Sequence, residues 1–269
     1  MFSLLAALLL PLPAAAVAPP PALLLSVPDP AGDASGDGSY QLPTRPALSA
    51  STLDLRLFKA ENIGGKLRLS VSFGAVGNPW NAPAGYSGAV LDIFVKTAPG
   101  GVSDLTGLGL RVAGSSGWQE HYRLDGFQVQ HFSAPPQTDQ AAAQPLRPVL
   151  APDAPRVTLQ GTELTLDTGL KAGEYSYWVT SSVYSPFSPD GLLRPGGDTS
   201  ASGLRSAREG TPVPVDVLLS GDQKQVYATG VLPAVGQIRD TRSVILLGLA
   251  IAGLLAAAVL SVLAWRRGA

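Results

Sequence analysis

Three aspartates, Asp29, Asp33 and Asp37, stand four residues apart in the glycine-rich stretch Asp29-Pro30-Ala31-Gly32-Asp33-Ala34-Ser35-Gly36-Asp37-Gly38. Carboxylates spaced this way on a flexible loop can fold around a hard cation, and calcium takes about six to eight oxygens at about 2.3–2.6 Å. Backbone carbonyls and Ser35 would add donors. The D-x-[DN]-x-[DN]-G spacing of an EF-hand is absent. The same residue types also suit a solvated Asp-Gly turn, because they tolerate positive φ and bond their own backbone. Calcium and turn therefore stand side by side as readings of this segment.

A second chemistry is aromatic. Trp80, Tyr86, Trp118 and Trp178 offer flat faces on which the C–H faces of sugar rings can stack, with Asp92, Glu120 or Arg123 available to bond hydroxyls. Burial of such rings is the competing use, since each contributes heavily to a core. Trp178 sits mid-strand and is expected inside, Trp118 suits either role, and Trp80, between Pro79 and Asn81, suits a loop rim or corner. Tyr184–Phe187 and Asp190–Arg194 form a further loop suited to ligand contact. There Arg194 can fork onto a ligand carboxylate, or onto Asp190 or Asp198. The ligand-binding candidates are thus Trp80, Tyr86, Trp118 and Arg194. Neither G-x-S-x-G nor H-E-x-x-H occurs, so no catalytic residue is assigned and no enzyme is expected. With Met1 the only methionine, His121 and His131 are a poor axial set, and no haem is expected.

Short strands must position these groups. Leu53–Ala60, Lys66–Phe73, Ala89–Lys96, Gln119–Leu124, Phe127–Phe132, Arg156–Gln160, Glu163–Asp167 and Glu174–Tyr184 read as strands from period-two alternation or β-branched and aromatic content. Asn62–Gly65, Asp125-Gly126 and Gly161-Thr162 mark turns between them. Val213–Leu219 and Gln225–Thr229 are expected as closing strands. Ala134–Pro155 and Ser185–Glu209 lack periodicity and read as loops. The 30 glycines and 24 prolines interrupt the chain too often for long helices, so the expected fold is an all-β antiparallel sandwich.

The two ends differ from this middle. Residues 1–18 are apolar, with Leu4–Leu10 as a hydrophobic stretch and small residues following, and read as a signal peptide. Val244–Trp265 carries no charge and precedes Arg266-Arg267. At about 1.5 Å per residue it spans roughly 30 Å, and the arginine pair favours the cytoplasmic side. The organisation expected is a signal peptide (1–18), an extracytoplasmic binding domain (19–232), a tether (233–243), one transmembrane helix (244–265) and a short cytoplasmic tail (266–269). All 20 acidic residues and every basic residue except Arg266 and Arg267 lie between the ends, for a net charge of −3 there. That balance excludes a nucleic-acid partner, which needs a concentrated basic surface. The absence of cysteine excludes disulfides and thiolate metal sites.

The order Asp29–Tyr40, Asp54-Leu55, Asn78-Pro79-Trp80, Gly85-Tyr86-Ser87, Trp118, Tyr177-Trp178, Asp190–Arg194 and Val215-Asp216-Val217-Leu218 resembles the glucodextranase-like C-terminal binding module. That family is similar to the wider group of DOMON-like and family-nine carbohydrate-binding sandwiches. The resemblance covers roughly Val27 to Ala228. It implies a DOMON-like β-sandwich of exported proteins, with structural calcium in the similar family-nine modules. Together with the terminal apolar span, where this chain departs from the family in having an anchor and no catalytic domain, it leads to the expectation of a membrane-anchored, cell-surface module that binds a surface or extracellular polysaccharide. The alternative is a scaffold that holds a surface-layer protein or a glycosidase near the membrane.

Overall fold

Apolar side chains at every second position give two strands one wet face and one dry face, and two such sheets bury their dry faces together. The first sheet runs Ala22–Pro28, Leu55–Ile63, Lys66–Phe73, Glu163–Lys171, Arg156–Gln160, antiparallel throughout. Leu67, Leu69, Val71 and Phe73 turn inward with Leu164 and Leu166. The opposite face is charged, with Lys59–Glu163 at 3.1 Å and Arg68–Asp167 at 2.7 Å. The structure, a computed structural model, describes residues 20–114, 116–135, 148–152, 155–197, 199–237, 250–251 and 253–254.

The second sheet runs Asp216–Val217, Ser176–Val183, Ala89–Lys96, Glu120–Leu124, Val129–Ser133, Val149–Leu150, again antiparallel. Phe58 of the first sheet meets Tyr177 of the second with ring centroids 5.0 Å apart. All eight residues of Ser176–Val183 are buried, so this sheet is dry on both faces. Its outer face is roofed by the small sheet of Asp104–Leu105, Leu110–Val112 and Val231–Leu232. Trp118 Nε1 donates to Asp104 O at 2.8 Å, and Trp178 Nε1 to Leu232 O at 3.1 Å. Apart from two short parallel pairs, the strands are antiparallel, as the alternation pattern predicts.

Several local expectations change, and the segments Ala134–Pro155 and Ser185–Glu209, expected as loops, hold the short strands Val149–Leu150, Pro195–Gly196 and Leu204–Arg205. Gln225–Thr229 is not a strand but lies in the helix Lys224–Thr229. Asp222 Oδ1 accepts the Lys224 N–H at 2.9 Å, and Gly230 ends the helix at φ 67°. Adjacent Val226 and Tyr227 bury one side, a spacing too short to distinguish the two periods. Within Val213–Leu219 only Asp216–Val217 pairs as a strand. Ala22–Pro28 adds an edge strand ahead of the aspartate loop, paired with Leu55–Ile63. Its run of three leucines has no alternation to announce it.

Residues 1–18, expected as a signal peptide, lie outside the described residues, as does all of 244–265, expected as a transmembrane helix, except four positions. Among the described residues no helix is long and apolar enough to cross a membrane.

Candidate functional site

Register brings three loops to one end of the second sheet. Val183 pairs with Ala89 and Leu91 with Leu124, so the loop before Ala89, the turn after Leu124 and the loop after Val183 emerge together. Asn78 shapes the first. Its Oδ1 accepts from Ala82 N at 2.8 Å and Ser87 Oγ at 2.7 Å, while Ser87 Oγ accepts the Trp80 N–H at 2.9 Å. Asp125 shapes the second, its Oδ1 accepting the N–H groups of Phe127 and Gln128 at 2.9 Å each. The two loops lock at Gly126, φ +83°, where a Cβ would stand 1.8 Å from Tyr86 O. Tyr184 N donates to Gly88 O at 3.1 Å and joins the third loop to the first.

The result is an aromatic surface. Phe187 is 85% exposed and meets the half-buried Trp80 edge-on at 6.3 Å. Phe127, 44% exposed, lies over Tyr184 at 5.4 Å. Beside them Arg194 Nη2 and Nη1 donate to Asp190 Oδ2 and Oδ1 at 2.6 and 3.1 Å, so the fork closes on an internal carboxylate. Burial opposes ionisation of Asp190, but the Arg194 bond, the Leu192 N–H and the charges of Arg194 and Arg123 together hold its carboxyl below the ordinary range. Asp198 lies outside the described residues.

Of the four ligand candidates, Trp80 joins this surface and Arg194 flanks it. Trp118 and Tyr86 do not: both are buried, and a ring with no free face cannot stack on a sugar. Trp118 packs against the stacked pair Phe94 and His121, at 5.2 and 5.5 Å. Trp178 is buried, as its mid-strand position predicts. Phe187 falls in the loop that the sequence marks for ligand contact, although neither its ring nor that of Phe127 is singled out there. Their signal is an apolar ring inside a polar turn, Ser-Pro-Phe-Ser and Asp-Gly-Phe-Gln.

Asp92 and Arg123, considered for sugar hydroxyls, are buried on the roofed face. Asp92 Oδ1 accepts from Arg123 Nε at 2.7 Å and bonds His121 Nε2 at 2.6 Å. Burial alone would raise the Asp92 carboxyl, but Arg123 and His121 outweigh it and hold it low. Burial pushes His121 below its ordinary value despite the bond to Asp92. The unfolded chain takes up a proton near about pH 6.5 where the folded chain resists. Stability from neutral His121 is therefore present above about pH 6.5 and lost as pH falls from there. The expected result is a Tm advantage of wild type over His121→Gln that shrinks on acidification from about pH 7.5 to 5. Raised carboxylates elsewhere act with the opposite sign but cancel in this difference. A constant difference across the range would contradict the reading. The second histidine, His131, bonds Glu120 Oε2 at 2.7 Å, so Glu120 also serves an internal contact.

The aspartate run divides. Asp37 Oδ1 accepts from Ser39 N at 2.9 Å and Ser39 Oγ at 2.6 Å, with Arg208 Nε 3.6 Å from Oδ2. Burial opposes its ionisation, but the Ser39 bonds hold its carboxyl low. That is the Asx-type turn among the two sequence readings. Asp29 and Asp33 instead meet Asp216, with one ligand atom of each within 4.8 Å of the others. The donors fit a hard cation: all are carboxylate oxygens, and Asp29 Oδ2 and Asp33 Oδ1 are enclosed without a hydrogen-bond partner. Crowding of acids shows in their titration. Burial, with Asp33 and Asp54 nearby, raises Asp29 to about 7. Burial and Asp29 raise Asp216 to about 9. The sequence placed Asp37 in this set because spacing along the chain was the only measure of proximity. Asp216 carries its own signal, a lone carboxylate inside the apolar run Val-Pro-Val-Asp-Val-Leu-Leu.

Comparison with known families adds one match: the model of the C-terminal, SLH-like binding module of glucodextranase matches residues 24–225. No curated protein matches the chain.

Proposed function

Because the chain belongs to the family of the C-terminal, SLH-like binding module of glucodextranase, we propose that it is a non-catalytic module that binds a cell-surface or extracellular polysaccharide. The bulk of the chain works outside the cytoplasm, held to the membrane by the apolar segment 244–265. The observation that carries the glycan reading is the aromatic surface at one end of the second sheet. Trp80, Phe187, Phe127 and Tyr184 gather there on three loops braced by Asn78, Asp125 and Gly126. Exposed aromatic rings have little to contribute to folding, whereas they supply rigid apolar faces to a ligand at small entropic cost. The rigid bracing limits the ordering that binding would otherwise require.

The test is affinity electrophoresis of the full-length chain, in detergent, through gels containing soluble polysaccharides. Retardation by at least one polysaccharide is expected. Phe187→Ala is expected to weaken it about tenfold, a loss of about 1.4 kcal/mol, with Tm unchanged because the ring is exposed. Folded wild-type chain that migrates freely through every polysaccharide would reject the reading. If Phe187→Ala abolished capture of a protein partner instead, the scaffold alternative would take its place.

A further inference from the structure

Asp29 Oδ2 and Asp33 Oδ1 are shut away from solvent with nothing donating to them, and the two carboxylates gather with that of Asp216. Asp29 follows the first edge strand and is 8% exposed. Its Oδ1 accepts the Leu219 N–H at 2.7 Å, but its Oδ2 has no partner. Asp33 Oδ1 is likewise enclosed and unpartnered. Facing both is Asp216, fully buried, aimed by the N–H groups of Leu55 at 2.7 Å and Val217 at 2.9 Å. A buried carboxylate oxygen with no donor has lost its bonds to water without replacement, and here two belong to one cluster.

Surrounding charge relieves this only in part, through Arg56. Asp54 adds a fourth acid, its oxygens accepting the Gly32 N–H at 3.1 Å. Arg56 Nη2 bonds Asp54 at 2.5 Å and offsets Asp29 and Asp33 only from a distance. Gln223 Nε2 reaches the Asp33 backbone carbonyl, not its carboxylate. Tyr227, also near, donates its hydroxyl to Pro214 O at 3.0 Å. Among the described residues, none of Asp29, Asp33 and Asp216 has an ion-pair partner within 4.0 Å.

We infer that Asp29, Asp33 and Asp216 form a binding site for one calcium ion. The donors are all oxygen, with no nitrogen or sulfur to favour a transition metal. Calcium–oxygen distances of about 2.3–2.6 Å set opposed ligands about 4.6–5.2 Å apart, in keeping with the 4.8 Å within which these atoms gather. The ion joins the loop after the first sheet's edge strand to Asp216 of the second sheet. In a chain without cysteine it acts as the cross-link between the sheets. Asp37, bonded to Ser39, takes no part.

The test uses the full-length chain stripped with chelator and titrated with calcium chloride alone, followed by calorimetry and by Tm. About one calcium per chain and a Tm rising with calcium concentration are expected. Asp33→Asn, on a half-exposed loop, is expected to fold and to lose at least about tenfold in calcium affinity. Asp37→Asn is expected to bind as wild type does. Asp216→Asn changes a fully buried group, so Asp33→Asn is the deciding variant. Stripped wild type with neither binding heat nor a Tm response would overturn the inference. So would equal losses in Asp33→Asn and Asp37→Asn.

Discussion

Asp92→Ala is expected to destabilise the fold by about 3–5 kcal/mol, the cost of leaving one partner of a buried ion pair uncompensated. Arg123 is buried and its Nε is bonded to Asp92 at 2.7 Å. With the carboxylate gone, a guanidinium remains under the roof of the second sheet. His121 loses its partner in the same step. The double variant Asp92→Ala/Arg123→Met is expected to recover part of that loss, because no buried charge is then stranded. Urea denaturation of the two single variants and the double variant measures the coupling. Strictly additive losses would show that the pair contributes no mutual stabilisation.

The second large effect is Trp118→Ala, expected to cost about 3–5 kcal/mol as a large ring leaves a cavity. The ring is fully buried, touches Phe94 and His121, and donates to Asp104 O. Neighbouring Gly117 admits no side chain, since a Cβ would lie 1.7 Å from Val102 O. The indole therefore holds the roof on the second sheet. Any loss of ligand binding in this variant should accompany unfolding, visible as a lowered denaturation midpoint. Phe187→Ala separates the two effects by losing binding alone. A Trp118→Ala protein with an unchanged midpoint would remove the ring from the core.

These two residues also mark where reading the chain stops. Lys66–Phe73 and Arg156–Gln160 alternate because one face is wet, and their bounds were legible to the residue. Ala89–Lys96 was also legible, as a short apolar run broken by turn residues. That Asp92 lies inside it under a roof was not. Alternation reports that a strand has two faces, whereas burial of the polar face depends on segments such as 102–118 and 231–232 folding over it. Trp118 and Trp80 have the same chemistry in the sequence and opposite fates in the structure for that reason.

The all-β antiparallel class, the turns at Asp125-Gly126 and Gly161-Thr162, and the family to which residues 24–225 belong were written in local pattern and ordered motifs. Those features depend on neighbours within a few residues or on their order along the chain. The pairing of Asp29 and Asp33 with Asp216, and the gathering of Trp80 with Phe187, came from strand register across the sheets. A site made by residues more than a hundred positions apart has no local signature. Its chemistry exists only once the backbone has closed the distance.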